Sequence, residues 1–140
     1  MLKRTREEVL EAARRICGAK FQHRGRTQFG IDCLGLPIFG AGLIGSEHDV
    51  TNYKAEHAGE GDLRAWLLSA GFRLLDGPGE PGDLVTLHER TRPTIESHCG
   101  ILTEYGWVHV NEQMGRVRET RFDEVWSRLR HAAYAFPGVM

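Results

Sequence analysis

The chain has 140 residues, 41% of them hydrophobic and 26% charged, which suits one globular domain over residues 1–140. Lys and Arg number 18 against 19 Asp and Glu, a formal net charge of -1, so overall basic charge is not available to hold nucleic acid. The start, MLKRTREEVLEAARR, lacks the apolar stretch of an export signal, no run approaches the ~18 apolar residues that span a bilayer, and an odd count of three cysteines argues against a disulfide framework.

The first expected element is a helix opened by a capping box, Thr5 with Glu8, and closed near Gly18. Val9, Ala12, Ala13 and Ile16 mark its buried face, and Cys17 at its end reads as a packing thiol. Residues 20–30, KFQHRGRTQFG, lack a steady period and read as a loop. A second helix is expected to begin near Asp32, with Leu34, Leu36, Ile38 and Leu43 as its apolar bulk. Pro37 has no N–H for the carbonyl of Cys33, so the first turn must be loose or the regular helix must start later. Residues 45–61 read as an extended polar loop in which His48 and His57 are solvated. Asp62 is expected to cap a third helix, with Leu63, Trp66, Leu67 and Ala70 on one face and Gly71 as the stop.

The segment DGPGEPG, residues 76–82, is a turn cluster. Strand-like runs follow: DLVTLH (83–88), SHCGILT (97–103), WVHVN (107–111), GRVRET (115–120) and HAAYAF (131–136), with a short helix around Phe122, Val125 and Trp126. Helices first and a mostly antiparallel sheet after them give an α+β arrangement.

The chemistry centres on FGIDCLGL, residues 29–36. A cysteine at the start of a helix gains thiolate character from the helix terminus, and a histidine base completes such a site. Of the seven histidines, His98 and His109 fall inside neighbouring strands, 11 positions apart. Across an antiparallel hairpin with an even-length turn, paired residue numbers sum to an odd number, so these two share a face and lie within reach of one another. An odd-length turn would separate them, and spacing alone leaves open two structural histidines. His88 stands near a strand end. Asp32 reads as a cap or a substrate contact. His23, Arg24 and Arg26 precede the cysteine, either to meet a substrate carboxylate or as a solvated basic loop.

The stretches FQHRGR, IDCLGL, PGDLVTL, SHCGILTEYGWVHV, GRVRET and RHAAYAFPG resemble, in this order, the NlpC-type cell-wall cysteine peptidases, especially their phage-tail branch. The resemblance implies a papain-like fold with N-terminal helices packed on an antiparallel sheet of about five strands. It implies Cys33 as nucleophile, His98 as general base and His109 as the residue that orients the base, with no cofactor. It also implies an endopeptidase acting on bacterial peptidoglycan, partnered by phage tail or baseplate hub proteins, made in the host cytoplasm and acting in the cell wall. The chain departs from that family at three places: Phe21 stands where many relatives carry tyrosine, Leu34 where a serine commonly follows the nucleophile, and Cys99 where a small apolar residue is usual. Three other readings compete. One is a structural tail-tip component that keeps the fold with little activity. Another is a zinc site of Cys33, His98 and His109, which no close C-x-x-C pair supports. The last is acyl transfer.

Overall fold

A computed structural model describes residues 4–49 and 62–139. Helix α1, Arg6–Ile16, opens on the expected capping box. Thr5 Oγ1 accepts from the Glu8 N–H, and the Glu8 carboxylate accepts from the Thr5 N–H. Val9, Ala12, Ala13 and Ile16 are its buried residues. The chain then passes through a two-residue hairpin, β1 (Arg26–Thr27) and β2 (Gly30–Ile31), inside the segment read as a plain loop. Helix α2 is Gly35–Ala41, later than the start near Asp32 suggested by sequence. Pro37 is the reason: placed third in the helix, its missing N–H falls among the donors of the first turn that have no helical partner in any case.

Helix α3 is Asp62–Ser69, and its Leu63 and Leu67 are buried. The cap expected from the Asp62 side chain lies outside the described residues, as do residues 50–61 with His57. His48 is half-buried, not solvated, and its carbonyl accepts from Trp66 Nε1 at 3.0 Å.

The remaining strands are β3 (Arg73–Leu74), β4 (Leu84–His88), β5 (Glu96–Leu102), β6 (Trp107–His109), β7 (Arg118–Thr120) and β8 (Arg130–Ala135). With α4, Glu124–Leu129, they complete the α+β architecture. The sheet is antiparallel throughout in the order β3-β8-β4-β5-β6-β7, six strands where the sequence pointed to about five. The extra member, β3, is a two-residue edge strand whose side chains are both exposed, so it leaves no alternating pattern to read.

Side chains alternate across the sheet and make two cores. Leu84, Cys99, Ile101, Val108 and Tyr134 face the large core shared with α1, α2 and α3. Val85, Leu87, Leu102 and Trp107 face a smaller one, closed by Phe122, Trp126 and Leu129 from α4 and its approach. Among the described residues no helix is long and apolar enough to cross a membrane.

Candidate active site

Cys33 sits in the turn between β2 and α2, half-buried against the large core. Asp32 builds that turn. Its Oδ1 accepts from the Gly35 N–H at 2.9 Å and its Oδ2 from the Arg24 N–H at 2.8 Å. Arg24 itself has φ +66°, a left-handed conformation stabilised by this bond. From the sheet side, the buried Cys99 donates its thiol to the Cys33 carbonyl at 3.2 Å. The backbone at position 33 is thus gripped from both directions while its side chain lines a cavity of about 600 Å³.

His98 lines the same cavity, at the start of β5. The β5–β6 connection pairs Leu102 with Trp107 and encloses four residues, Thr103 to Gly106, so the turn is even and His98 and His109 share a face. Their rings meet at His98 Nε2 and His109 Nδ1, 3.2 Å apart. His109 is 1% exposed. Trp107 stacks on it with ring centroids 3.8 Å apart and an interplanar angle of 18°. Gly100 makes the stack possible: a Cβ there would lie 2.5 Å from the Trp107 ring and 2.9 Å from His109 Cβ. Trp126 of α4 sets its edge against His109 at 5.3 Å and also lines the cavity.

Burial favours the neutral forms of Cys33, His98 and His109. Desolvation pushes the Cys33 thiol up to about 12, aided by the Asp32 carboxylate and opposed by the backbone N–H groups of Cys33 and Leu34. Desolvation lowers His98 to about 4, and desolvation with the neighbouring His98 lowers His109 to about 3. The thiolate stabilisation expected from a helix terminus is outweighed, chiefly by desolvation and further by the Asp32 charge next door, and α2 begins only at Gly35.

No protein-family model and no curated protein sequence matches the chain. Solved structures do. An NlpC/P60 family protein from Bacillus cereus superposes with a TM-score of 0.70 at 13% identity, over 97% of this chain and 41% of that one. NlpC1 from Trichomonas vaginalis gives 0.66 at 14%, over 94% and 44%. The NlpC/p60 domain of the peptidoglycan hydrolase SagA gives 0.61 at 17%, over 93% and 97%. This chain has the NlpC/p60 fold. It spans less than half the length of the first two proteins and nearly all of the SagA domain.

Within that NlpC/p60 fold, the residues expected to bind substrate divide. His23 and Asp32 line the cavity. Arg26 does not. It is 9% exposed and carries the Asp32 and Asp49 carboxylates on one guanidinium, with Nη1 3.0 Å from Asp32 Oδ1 and Nε 2.7 Å from Asp49 Oδ1. Its cost of desolvation is met by these two carboxylates, one in its own loop and one beyond α2, so it braces the turn under Cys33. Arg24 is exposed, contributes its backbone N–H to Asp32, and is not among the cavity-lining residues. Among the described residues no three His, Cys, Asp or Glu side chains are placed to share a metal ion. Cys17 lies apart, its thiol 3.5 Å from the Ala13 carbonyl.

Sequence reasoning missed three residues at or behind the cavity. Arg90 and Glu112 stand on its rim from loops with no motif of their own. Thr120 lies behind it, with Oγ1 2.9 Å from His109 Nε2. A signal for Thr120 was present: 120 follows 109 by 11 positions, as 109 follows 98.

Proposed function

We propose that this protein is a cysteine peptidase that hydrolyses peptide bonds in the stem peptides of bacterial peptidoglycan. Cys33 is the nucleophile, His98 the general base and His109 the residue that orients it. The observation that carries the reading is that Cys33 and His98 line one open cavity while the inner nitrogen of His98 is engaged by His109. In the catalytic step Cys33 Sγ bonds to the substrate carbonyl carbon as its proton passes to His98. The N–H groups of Cys33 and Leu34, which favour negative charge on the sulfur, are the oxyanion donors in this reading. His98 returns the proton to the leaving amine. Water then cleaves the thioester and regenerates the thiol. Burial raises the Cys33 thiol and lowers the His98 imidazole, which disfavours a preformed ion pair, so in this reading proton transfer accompanies attack.

The rim gives the substrate an orientation. Strands β4, β5, β6 and β7 alternate in direction, so the β4–β5 and β6–β7 loops leave the same end of the sheet, with His98 between them. Exposed Arg90 lines the cavity from the first loop and exposed Glu112 from the second. Arg92 is occupied by a two-bond contact with Glu89, at 2.8 and 2.6 Å, which leaves Arg90 as the cation of that loop facing the cavity. Stem peptides carry free carboxylates and a diamino-acid amine, and a cavity polarised in this way suits them. Arg90→Ala is expected to raise KM about tenfold with little change in kcat, the effect of one lost charge-assisted hydrogen bond. Equal KM values for the two proteins on a synthetic stem peptide would remove Arg90 from binding.

Carriage by a phage tail or tail-like particle, for local penetration of the cell wall, is the finer part of the proposal. It rests on the sequence stretches that resemble the phage-tail branch. The test of the whole reading is incubation of purified protein with sacculi and mass spectrometry of the released fragments. New peptide termini in the stem are expected, and intact sacculi would overturn the assignment.

A further inference from the structure

His98, His109 and Thr120 form a diagonal line across β5, β6 and β7, each 11 positions after the last. The register explains the line. Val108 pairs with Ile101 and with Glu119, so each step along the line shifts by two residues and stays on one face. The contacts along it are His98 Nε2 to His109 Nδ1 at 3.2 Å and His109 Nε2 to Thr120 Oγ1 at 2.9 Å.

Each nitrogen of His109 is committed, so the protons along the line are coupled. There are two arrangements. In one, His98 Nε2–H donates to His109 Nδ1, and His109 Nε2–H donates to Thr120 Oγ1. His98 Nδ1 is then a bare lone pair, able to take a proton. In the other, every donor is reversed, and His98 carries its proton on Nδ1, where it cannot act as a base. Once His98 has accepted a proton the choice disappears. An imidazolium has N–H at both positions, so His109 must accept at Nδ1 and hold its own proton on Nε2. That proton needs an acceptor, because His109 is 1% exposed and covered by Trp107 and Trp126. A hydroxyl provides one, and half-buried Thr120 can turn its own O–H elsewhere.

We propose that Thr120 is a positioning residue whose Oγ1 is the terminal acceptor of this relay, holding His98 in the tautomer with a bare Nδ1 and stabilising the imidazolium formed during cleavage. The proposal rests on the peptidase reading of the site. It assigns the reaction a fourth side chain, which acts through His109 and touches no reacting atom.

The experiment compares wild type, Thr120→Val and Thr120→Ser, with circular dichroism as the check on folding. Valine keeps the branched shape that suits β7 and removes the oxygen. In Thr120→Val, kcat on a stem peptide falls about tenfold to a hundredfold, the span for leaving one buried donor unpaired, while KM is unchanged. Thr120→Ser returns kcat to within about twofold of wild type, since its hydroxyl can reach the same nitrogen. Imidazole 15N spectra of the free protein place the His109 proton on Nε2 in wild type and on Nδ1 in Thr120→Val. A wild-type His109 protonated on Nδ1 overturns the proposal even where the valine variant fails to fold. An unchanged kcat in folded Thr120→Val, or a serine variant as slow as the valine one, overturns it as well. A wild type that cleaves no stem peptide removes the peptidase reading, and the tautomer measurement still reads the relay.

Discussion

Cys33→Ala is expected to reduce release of stem-peptide fragments from sacculi by at least about ten-thousandfold, the scale seen when a nucleophile is removed from a triad. The reason is the absence of a second route. His98 has no thiol to deprotonate, Cys17 lies at the end of α1 bonded to a helical carbonyl, and Cys99 is fully buried with its thiol on the Cys33 carbonyl. The fold should survive, since Cys33 is half-buried and the turn it occupies is held by backbone bonds to Asp32 and by Cys99, none of which uses its sulfur. Thermal melting should therefore place Cys33→Ala close to wild type. Cys17→Ala, as a control, should keep nearly full cleavage. Alkylation by iodoacetamide gives an independent reading. A thiol near 12 is protonated at neutral pH, so Cys33 should react slowly there and faster as the solution is made alkaline. Cleavage that persists in Cys33→Ala would end the peptidase account, however well the fold agrees.

What could be read from the sequence followed from short-range rules. Thr5 and Glu8 are three residues apart, and the capping box needs nothing else. The Val9, Ala12, Ala13 and Ile16 face needs only the helical period. The meeting of His98 with His109 needed one more fact, the parity of a turn, and the four residues from Thr103 to Gly106 supply it. What escaped was decided at longer range or in very short elements. Strand β3 is two exposed residues paired with β8 at the sheet edge. Arg26 looked free to meet a substrate because its partner Asp49 lies 23 positions away in a segment read as surface loop. The upward push on the Cys33 thiol was not legible for a related reason. The favourable terminus of α2 could be anticipated, but the desolvation of the thiol and the position of Asp32 next to it exist only in the folded turn. Thr120 was the avoidable omission, since the parity rule applied to His98 and His109 extends unchanged to the next strand.

Acid should unfold this protein earlier than its carboxylates alone would require. His98 and His109 are held neutral by burial, at about 4 and about 3, whereas in an unfolded chain both titrate near 6.5. Between those limits the unfolded chain binds more protons than the native one, so stability rises with pH across the window and is lost as pH falls from about 6.5 toward about 4. Each unit of difference is worth about 1.4 kcal/mol, a sizeable share of a domain stability of order 5–15 kcal/mol. The groups facing the pair do not offset this. Trp107, Trp126 and Thr120 are uncharged, and His98 disfavours a proton on His109. Glu104 and Glu119, held below the usual carboxylate range chiefly by their hydrogen bonds, including those from Arg14, lose their contribution only at lower pH. The measurement is the melting temperature at a series of pH values for wild type and for His109→Gln, whose amide can still bond to His98 but cannot be protonated. Wild type is expected to lose melting temperature steadily below about pH 6.5, and His109→Gln to follow a shallower slope over the same range. A wild-type melting temperature that stays level down to about pH 4 would mean that both rings accept protons in the folded state, and the site would then hold an imidazolium before any substrate arrives.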